Sequence, residues 1–297
     1  MREFEALIAG RSVMIRDTGD LPGPAVLYFH GTPGSRLDVA FGDHVATKLG
    51  VRVVSFDRPG YGRSEPSPFG LTGIAKLGEA IADLLGIERV AAFGWSGGGP
   101  FALAAAAVMG NRVSRVGVAS GPAPFQQMPG ALDMLGDGDR EALSLLPDEP
   151  ARAAEAFCAG SEGITAAIDD EESFMAGVDA LFGATDADVL GDPRLRHHLF
   201  AMLSEGMRQG FTGVGWDNVA WVGPWDIDVS MVRCPVHLWY GGQDSMMPVE
   251  HGRWLADNLA DADLVVYDGE GHLGPMRHWS EMLTAITSES GPTRPAW

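Results

Sequence analysis

Residues 90–101 read Val90-Ala91-Ala92-Phe93-Gly94-Trp95-Ser96-Gly97-Gly98-Gly99-Pro100-Phe101. The run 90–95 is apolar throughout, as in a strand covered on both faces. The small residues after it and the alanine-rich stretch to Met109 predict a helix over 97–109. Ser96 therefore falls on a sharp strand-to-helix turn, in the pattern Gly-x-Ser-x-Gly. Such a turn strains the serine backbone and lifts its hydroxyl above the sheet edge. The helix N-terminus beneath it favours negative charge that develops nearby. The plainer reading is a glycine-rich helix start with a capping serine, and it leaves the preceding strand unexplained.

The same alternation extends outward. Runs 25–29, 51–56 and 113–119 read as further strands. Val39, Val45 and Leu49 share one helical face, with Gly50 as its stop. Ile74, Leu77, Ile81, Leu84 and Leu85 form a second helical stripe, closed by Gly86. Residues 4–8 and 12–16 flank Ala9-Gly10 as a hairpin. The expected fold class is α/β, a mostly parallel central sheet with helices on both faces. The alternation stops over 122–230, where helical segments and turns occur without a buried strand. Strands return at 236–240 and 264–267. A helix follows each, one opened by Pro248 and one carrying Met276, Trp279, Leu283 and Ile286. The expected organisation is a core from 1–121 and 231–297 with a mostly helical insertion, 122–230. The tail 288–297 reads as frayed.

A serine nucleophile needs a base, and the base needs an orienting carboxylate. Of eight histidines, His272 follows the last strand and so lies at the carboxyl edge of the sheet, as Ser96 does. His44, His251 and His278 fall in helical patterns, and His237 lies in a strand. His197 and His198, in the insertion, remain outside candidates, while His30 reads as a turn-stabilising residue. Asp244 follows the strand 236–240 and is the candidate acid. Asp217, Asp226 and Asp228 are its runners-up, and Asp57 reads as a structural turn residue. The turn His30-Gly31-Thr32-Pro33-Gly34 can aim a backbone N–H above Ser96. The N–H groups of Thr32 and Gly97 are then the candidate oxyanion donors.

Composition narrows the partners. The 297 residues carry 21 Lys and Arg against 40 Asp and Glu, a formal charge of −19. Phosphate backbones and anionic lipid surfaces need clustered cations, so no nucleic acid and no membrane partner is expected. Residues 122–230 hold 20 of the acids and five Arg. That acidity reads first as a solvated outer face, and secondly as a field that repels anionic acyl groups. Two cysteines, Cys158 and Cys234, make neither a disulfide framework nor a structural zinc site. No nucleotide loop and no His-Glu-x-x-His is present, so no cofactor and no metal is expected. The start lacks a signal pattern, and the longest apolar run, 101–109, is too short to span a bilayer. A soluble, cytoplasmic protein is expected, with homo-oligomerisation left open. Aromatic and Met residues crowd the insertion, among them Phe174, Phe182, Met202, Met207, Phe211 and Trp221. Most pack a core, and some should line an apolar pocket.

The strings HGTPGS, SFDRPGYGRS, GWSGGGP, YGGQD and GEGH, in that order, resemble the α/β-hydrolase family over about residues 12–121 and 230–287. The resemblance implies a cofactor-free serine hydrolase in which Ser96, Asp244 and His272 follow the family's nucleophile–acid–histidine order, with 122–230 as a helical lid. Haloalkane dehalogenases and epoxide hydrolases hold Asp where Ser96 stands, which argues against both. Proline iminopeptidases are similar more broadly, but their usual serine turn differs from GWSGGG. The expected reaction is cleavage of a small ester, thioester or lactone with an apolar, uncharged acyl group. Amide or C–C bond hydrolysis, and lyase or perhydrolase chemistry, use the same site. A ligand-binding receptor with vestigial activity is the reading from a different class.

Overall fold

A computed structural model describes residues 1–19, 23–159 and 170–288. The expected frayed tail lies outside the described residues beyond Ser288. Eight strands form one sheet in the order β1-β2-β4-β3-β5-β6-β7-β8. They are β1 (Arg2–Ile8), β2 (Arg11–Asp17), β3 (Ala25–Phe29), β4 (Arg52–Phe56), β5 (Val90–Trp95), β6 (Val113–Ala119), β7 (Val236–Gly241) and β8 (Ala262–Tyr267). Only the β1–β2 and β2–β4 pairings are antiparallel. The hairpin turn sits at Ala9 and Gly10, both with positive φ, which matches the right-handed twist of the strands it joins.

The strand runs are continuously apolar because both faces of the sheet are covered. Leu27 and Phe29 of β3 point into a cluster with α2 (Leu71–Leu84) and α3 (Gly99–Met109). Val26 and Tyr28 point the other way, into a cluster with residues of α1 (Asp43–Leu49) and of the last helix, Trp279–Thr287. Two helical expectations need correction. Leu49 and Leu84 sit on the outer surface at 38% and 55% exposure. In α1 the burial rests on Ala46, and in α2 on Ile74, Ala75, Gly78 and Ile81. Small residues let α2 approach the strands closely, Leu71 is buried with them, and Leu84 is left outside. The helix expected over 97–109 begins at Gly99, after a 3-10 turn at Ser96–Gly98.

Between β6 and β7 the described residues form helices and no strand. These are α4 (Asp137–Ser144), α5 (Pro150–Phe157), α6 (Glu171–Phe182), α7 (Ala187–Leu190), α8 (Pro193–Gly206) and α9 (Thr212–Trp221). Residues 160–169 of the expected insertion lie outside the described residues. Ala153, Phe157 and Trp221 join the α2–α3 cluster, whereas Phe174, Met202 and Leu203 join the other. The insertion thus straddles the sheet edge and extends both cores. The chain closes with α10 (Val249–Asn258) and α11 (Trp279–Thr287). No helix of the described residues is long and apolar enough to cross a membrane.

Candidate active site

Four loops leave the carboxyl ends of parallel strands and converge at one edge. They follow β3, β5, β7 and β8, and they carry Thr32, Ser96, Asp244 and His272 respectively. Ser96 has φ +50, a left-handed conformation that a non-glycine residue adopts only at a cost. The surroundings hold it there. A β-carbon on Gly94 would lie 2.2 Å from the Gly98 carbonyl oxygen, so only glycine lets the turn close.

His272 Nε2 lies 3.0 Å from Ser96 Oγ, and His272 Nδ1 lies 2.7 Å from Asp244 Oδ2. An ionised carboxylate can only accept, so Nδ1 carries the proton and Nε2 is free to accept from the serine hydroxyl. All three residues are buried. The second oxygen of Asp244 accepts the backbone N–H groups of Met246 and Met247, each at 2.9 Å. Burial pushes the Asp244 carboxyl up, but His272 and these two N–H groups outweigh it and hold the carboxyl below its ordinary value. Phe182 of α6 stacks on the His272 ring at 5.9 Å between centroids.

The structure brings Thr32 and Gly97 together as well. A β-carbon on Gly97 would lie 2.2 Å from Thr32 Oγ1, so the Thr32 side chain packs directly on that glycine. Thr32 Oγ1 is itself committed elsewhere. It donates to Asp217 of α9 at 2.6 Å.

The runner-up acids are elsewhere. Asp226 accepts the Thr72 N–H at 3.0 Å and caps α2, while Asp228 accepts the Ser230 N–H at 2.8 Å. Asp217 is fully buried and paired with Arg58, which also donates to the carbonyls of His30 at 2.6 Å and Gly31 at 3.0 Å. His30 braces the turn as expected, with Nδ1 2.8 Å from the Gly31 carbonyl and Nε2 accepting the Arg58 N–H at 3.2 Å. Burial, and the Arg58 charge beside it, push the His30 imidazole well below its ordinary range, so it stays neutral. Asp57 accepts the N–H groups of Arg36 and Arg63. His197 is exposed on the insertion, and His198 donates through Nε2 to the Asp38 carbonyl at 2.9 Å; neither reaches Ser96.

Two site contributors were given no role by the sequence. Asp186, between α6 and α7, accepts the His272 N–H at 3.0 Å and the Leu273 N–H at 2.8 Å. Arg58 belongs to a quoted motif, but its partner stands 159 positions away on α9. The expected acidic outer face is therefore only part of the story. Asp186 and Asp217 are buried, and Glu205 of α8 pairs with Arg36 and Arg63.

A cavity of about 560 Å³ opens on Ser96 and His272. Its walls are mainly apolar, with Phe174, Phe182 and Met202 from the insertion facing Trp95 and Met276 from the core. A buried nucleophile–base–acid geometry beside an apolar cavity can carry acyl transfer.

Comparison with known proteins agrees with the fold. A family model described as the alpha/beta hydrolase family matches residues 26–285. Two curated relatives are pimeloyl-[acyl-carrier protein] methyl ester esterases. The one from Aromatoleum aromaticum is 34% identical over 128 residues, 41% of this chain and 50% of the relative. The one from Chromobacterium violaceum is 34% identical over 55 residues, 18% of this chain and 22% of the relative. The chain thus spans half or less of the length of these relatives. An esterase from Exiguobacterium antarcticum superposes with a TM-score of 0.70 at 20% identity, covering 97% of this chain and all of that one, 100%; this likeness concerns the fold.

Proposed function

Because the chain belongs to the alpha/beta hydrolase family, we propose that it is a serine hydrolase cleaving a small ester, thioester or lactone through an acyl-enzyme on Ser96. The observation that carries this reading is the Asp244–His272–Ser96 hydrogen-bonded chain at the mouth of an apolar cavity. His272 Nε2 takes the hydroxyl proton as Ser96 Oγ attacks the acyl carbon. Asp244 fixes the tautomer and stabilises the imidazolium that forms. The N–H groups of Thr32 and Gly97 hold the oxyanion. Gly97 stands in the 3-10 turn that leads into α3, where N–H groups have no partner further back along the helix. His272 then returns the proton to the leaving group, and water releases the acyl group by the same steps in reverse. The insertion 122–230 acts as a lid over the cavity. Its apolar walls suit an uncharged acyl group.

A fluorophosphonate probe and a panel of esters, thioesters and lactones test this reading. Wild type should label at Ser96 and turn over members of the panel. Ser96→Ala should lose labelling and about 10⁴- to 10⁶-fold in kcat while staying folded, since its hydroxyl supports no core. Labelling without any turnover would favour a receptor, and Ser96→Ala retaining a tenth of the activity would overturn the mechanism.

A further inference from the structure

The cavity wall has few polar side chains, and its hydroxyls and its imidazole are committed. Ser96 and His272 bond to each other at 3.0 Å. Thr32 Oγ1 is given to Asp217. Ser173 Oγ donates to Asp170 at 2.6 Å. Asp38 adds a carboxylate. Its Oδ2 accepts the Tyr28 hydroxyl at 3.0 Å and the Gly31 N–H at 2.9 Å. Its Oδ1 accepts no hydrogen bond from the described residues, and the 6% of Asp38 that remains exposed faces the cavity. Arg58, the guanidinium whose charge acts on Asp38, is committed to Asp217 and to two carbonyls. Asp38 is thus a buried carboxylate with one oxygen fixed in the fold and the other open to the ligand space.

We propose that Asp38 Oδ1 anchors a hydrogen-bond donor, a hydroxyl or an ammonium, on the acyl group that fills the cavity. This rests on the serine hydrolase reading above and narrows its substrate class. The reason is desolvation. A plain alkyl chain packed against Asp38 strips water from a buried acceptor and returns nothing, which disfavours binding. A chain with a donor replaces that water and keeps its apolar remainder against Phe174 and Met202. Sites built around an unpaired polar group reject analogues that lack the partner far more strongly than they sort alkyl chains by length. Position follows too. Asp38 is tied to Gly31, and a β-carbon on Gly31 would lie 3.8 Å from Ser96 Cβ. The donor therefore belongs near the acyl carbon rather than at the far end of the chain. Burial pushes the Asp38 carboxyl up to about 6, against the pull of Gly31, Tyr28 and Arg58. It is an anion at pH 7.5 and can take either donor.

The test uses methyl esters of equal chain length that are unsubstituted, hydroxylated, methoxylated or aminated at one carbon near the carboxyl group. Hydrolysis is followed by pH-stat at pH 7.5. Wild type should favour the hydroxy or the amino ester over the alkyl ester by about tenfold or more in kcat/KM. Which of the two leads identifies the donor. The methoxy ester keeps the size but loses the donor, and it should fall to the alkyl level. Asp38→Asn keeps an acceptor for Gly31 and Tyr28 but turns an amide N–H into the cavity. Its ratio of donor-bearing to alkyl rates should collapse to about one or invert. Any damage to the loop slows all esters alike and cancels in that ratio. A wild type that cleaves alkyl and methoxy esters as well as hydroxy and amino ones overturns the anchor and leaves the hydrolase standing. A ratio unchanged in Asp38→Asn also overturns it. Failure to label or to cleave any ester sinks both readings together.

Discussion

Asp186, on the insertion, accepts the backbone N–H of His272 at 3.0 Å, and its second oxygen accepts the next N–H, that of Leu273, at 2.8 Å. The proposed base is thus held in place by the proposed lid, through a carboxylate that never touches the imidazole nitrogens. A β-carbon on Gly271 would lie 2.4 Å from the same carboxylate, so the loop is folded tightly around it. Asp186→Asn keeps the shape but sets an amide N–H against one of the two donors. We expect kcat to fall about 10- to 100-fold with KM nearly constant, in keeping with the weight of a charge-assisted hydrogen bond. Steady-state kinetics and the rate of fluorophosphonate labelling read this out. A variant that only unfolds earlier, with kcat intact, would reduce Asp186 to a structural brace.

The acid can be separated from its competitors by three isosteric changes. Asp244→Asn should leave KM near wild type and lower kcat by up to about 10⁴-fold, because the amide favours the wrong tautomer of His272. Asp226→Asn and Asp228→Asn keep an acceptor for the Thr72 and Ser230 N–H groups that those carboxylates cap. They should change stability by about 0.5 kcal/mol or less and cost little activity. Kinetics and urea unfolding on the three proteins decide it. A fully active Asp244→Asn would contradict the assignment.

Arg58 and Asp217 are a fully buried ion pair that ties α9 to the turn carrying Thr32. Removing one partner strands the other. Asp217→Leu should lower stability by about 3–5 kcal/mol and Arg58→Met by a similar amount, while the double variant should recover much of the loss. Urea unfolding of the four proteins closes the cycle. Additive losses would mean that the two charges do not depend on each other.

His251 gives stability a pH dependence. Its Nδ1 accepts the Ala123 N–H at 3.0 Å, and burial pushes its imidazole from 6.5 down to about 4. The folded state therefore favours the neutral ring. The contribution is complete above about 6.5 and is lost as the pH falls through about 4, and it amounts to about 3 kcal/mol. Asp38 works in the opposite sense between its ordinary value and about 6, so the whole-protein slope mixes the two. His251→Asn can still accept from Ala123 but does not titrate. Its unfolding midpoint should change less than that of wild type between pH 7 and pH 4.5. Parallel slopes would refute the assignment to His251.

Much of the fold was legible in the linear pattern. Continuous apolar runs such as 25–29 and 90–95 mark strands buried on both faces, and their alternation with helices implies a parallel sheet. The errors at Leu49 and Leu84 share one cause. Periodicity counts apolar residues, whereas close packing selects small ones, and Ala46, Ala75 and Gly78 made the contacts.

The candidates Ser96, Asp244, His272, Thr32 and Gly97 could be placed together from the sequence because a parallel sheet sends every strand's carboxyl end to one edge. A loop directly after a strand is placed by that rule alone. Asp186, Arg58 with Asp217, and Asp38 were not nameable in this way. Their partners stand 86 positions away in the first case, and 159 in the second. Asp38 needs the insertion folded over it before its free oxygen means anything. An acid read from sequence is a charge with no address, and water is its default partner. Only tertiary packing removes that water, so only the folded structure could separate the carboxylates that hold the site from those that merely keep the surface charged.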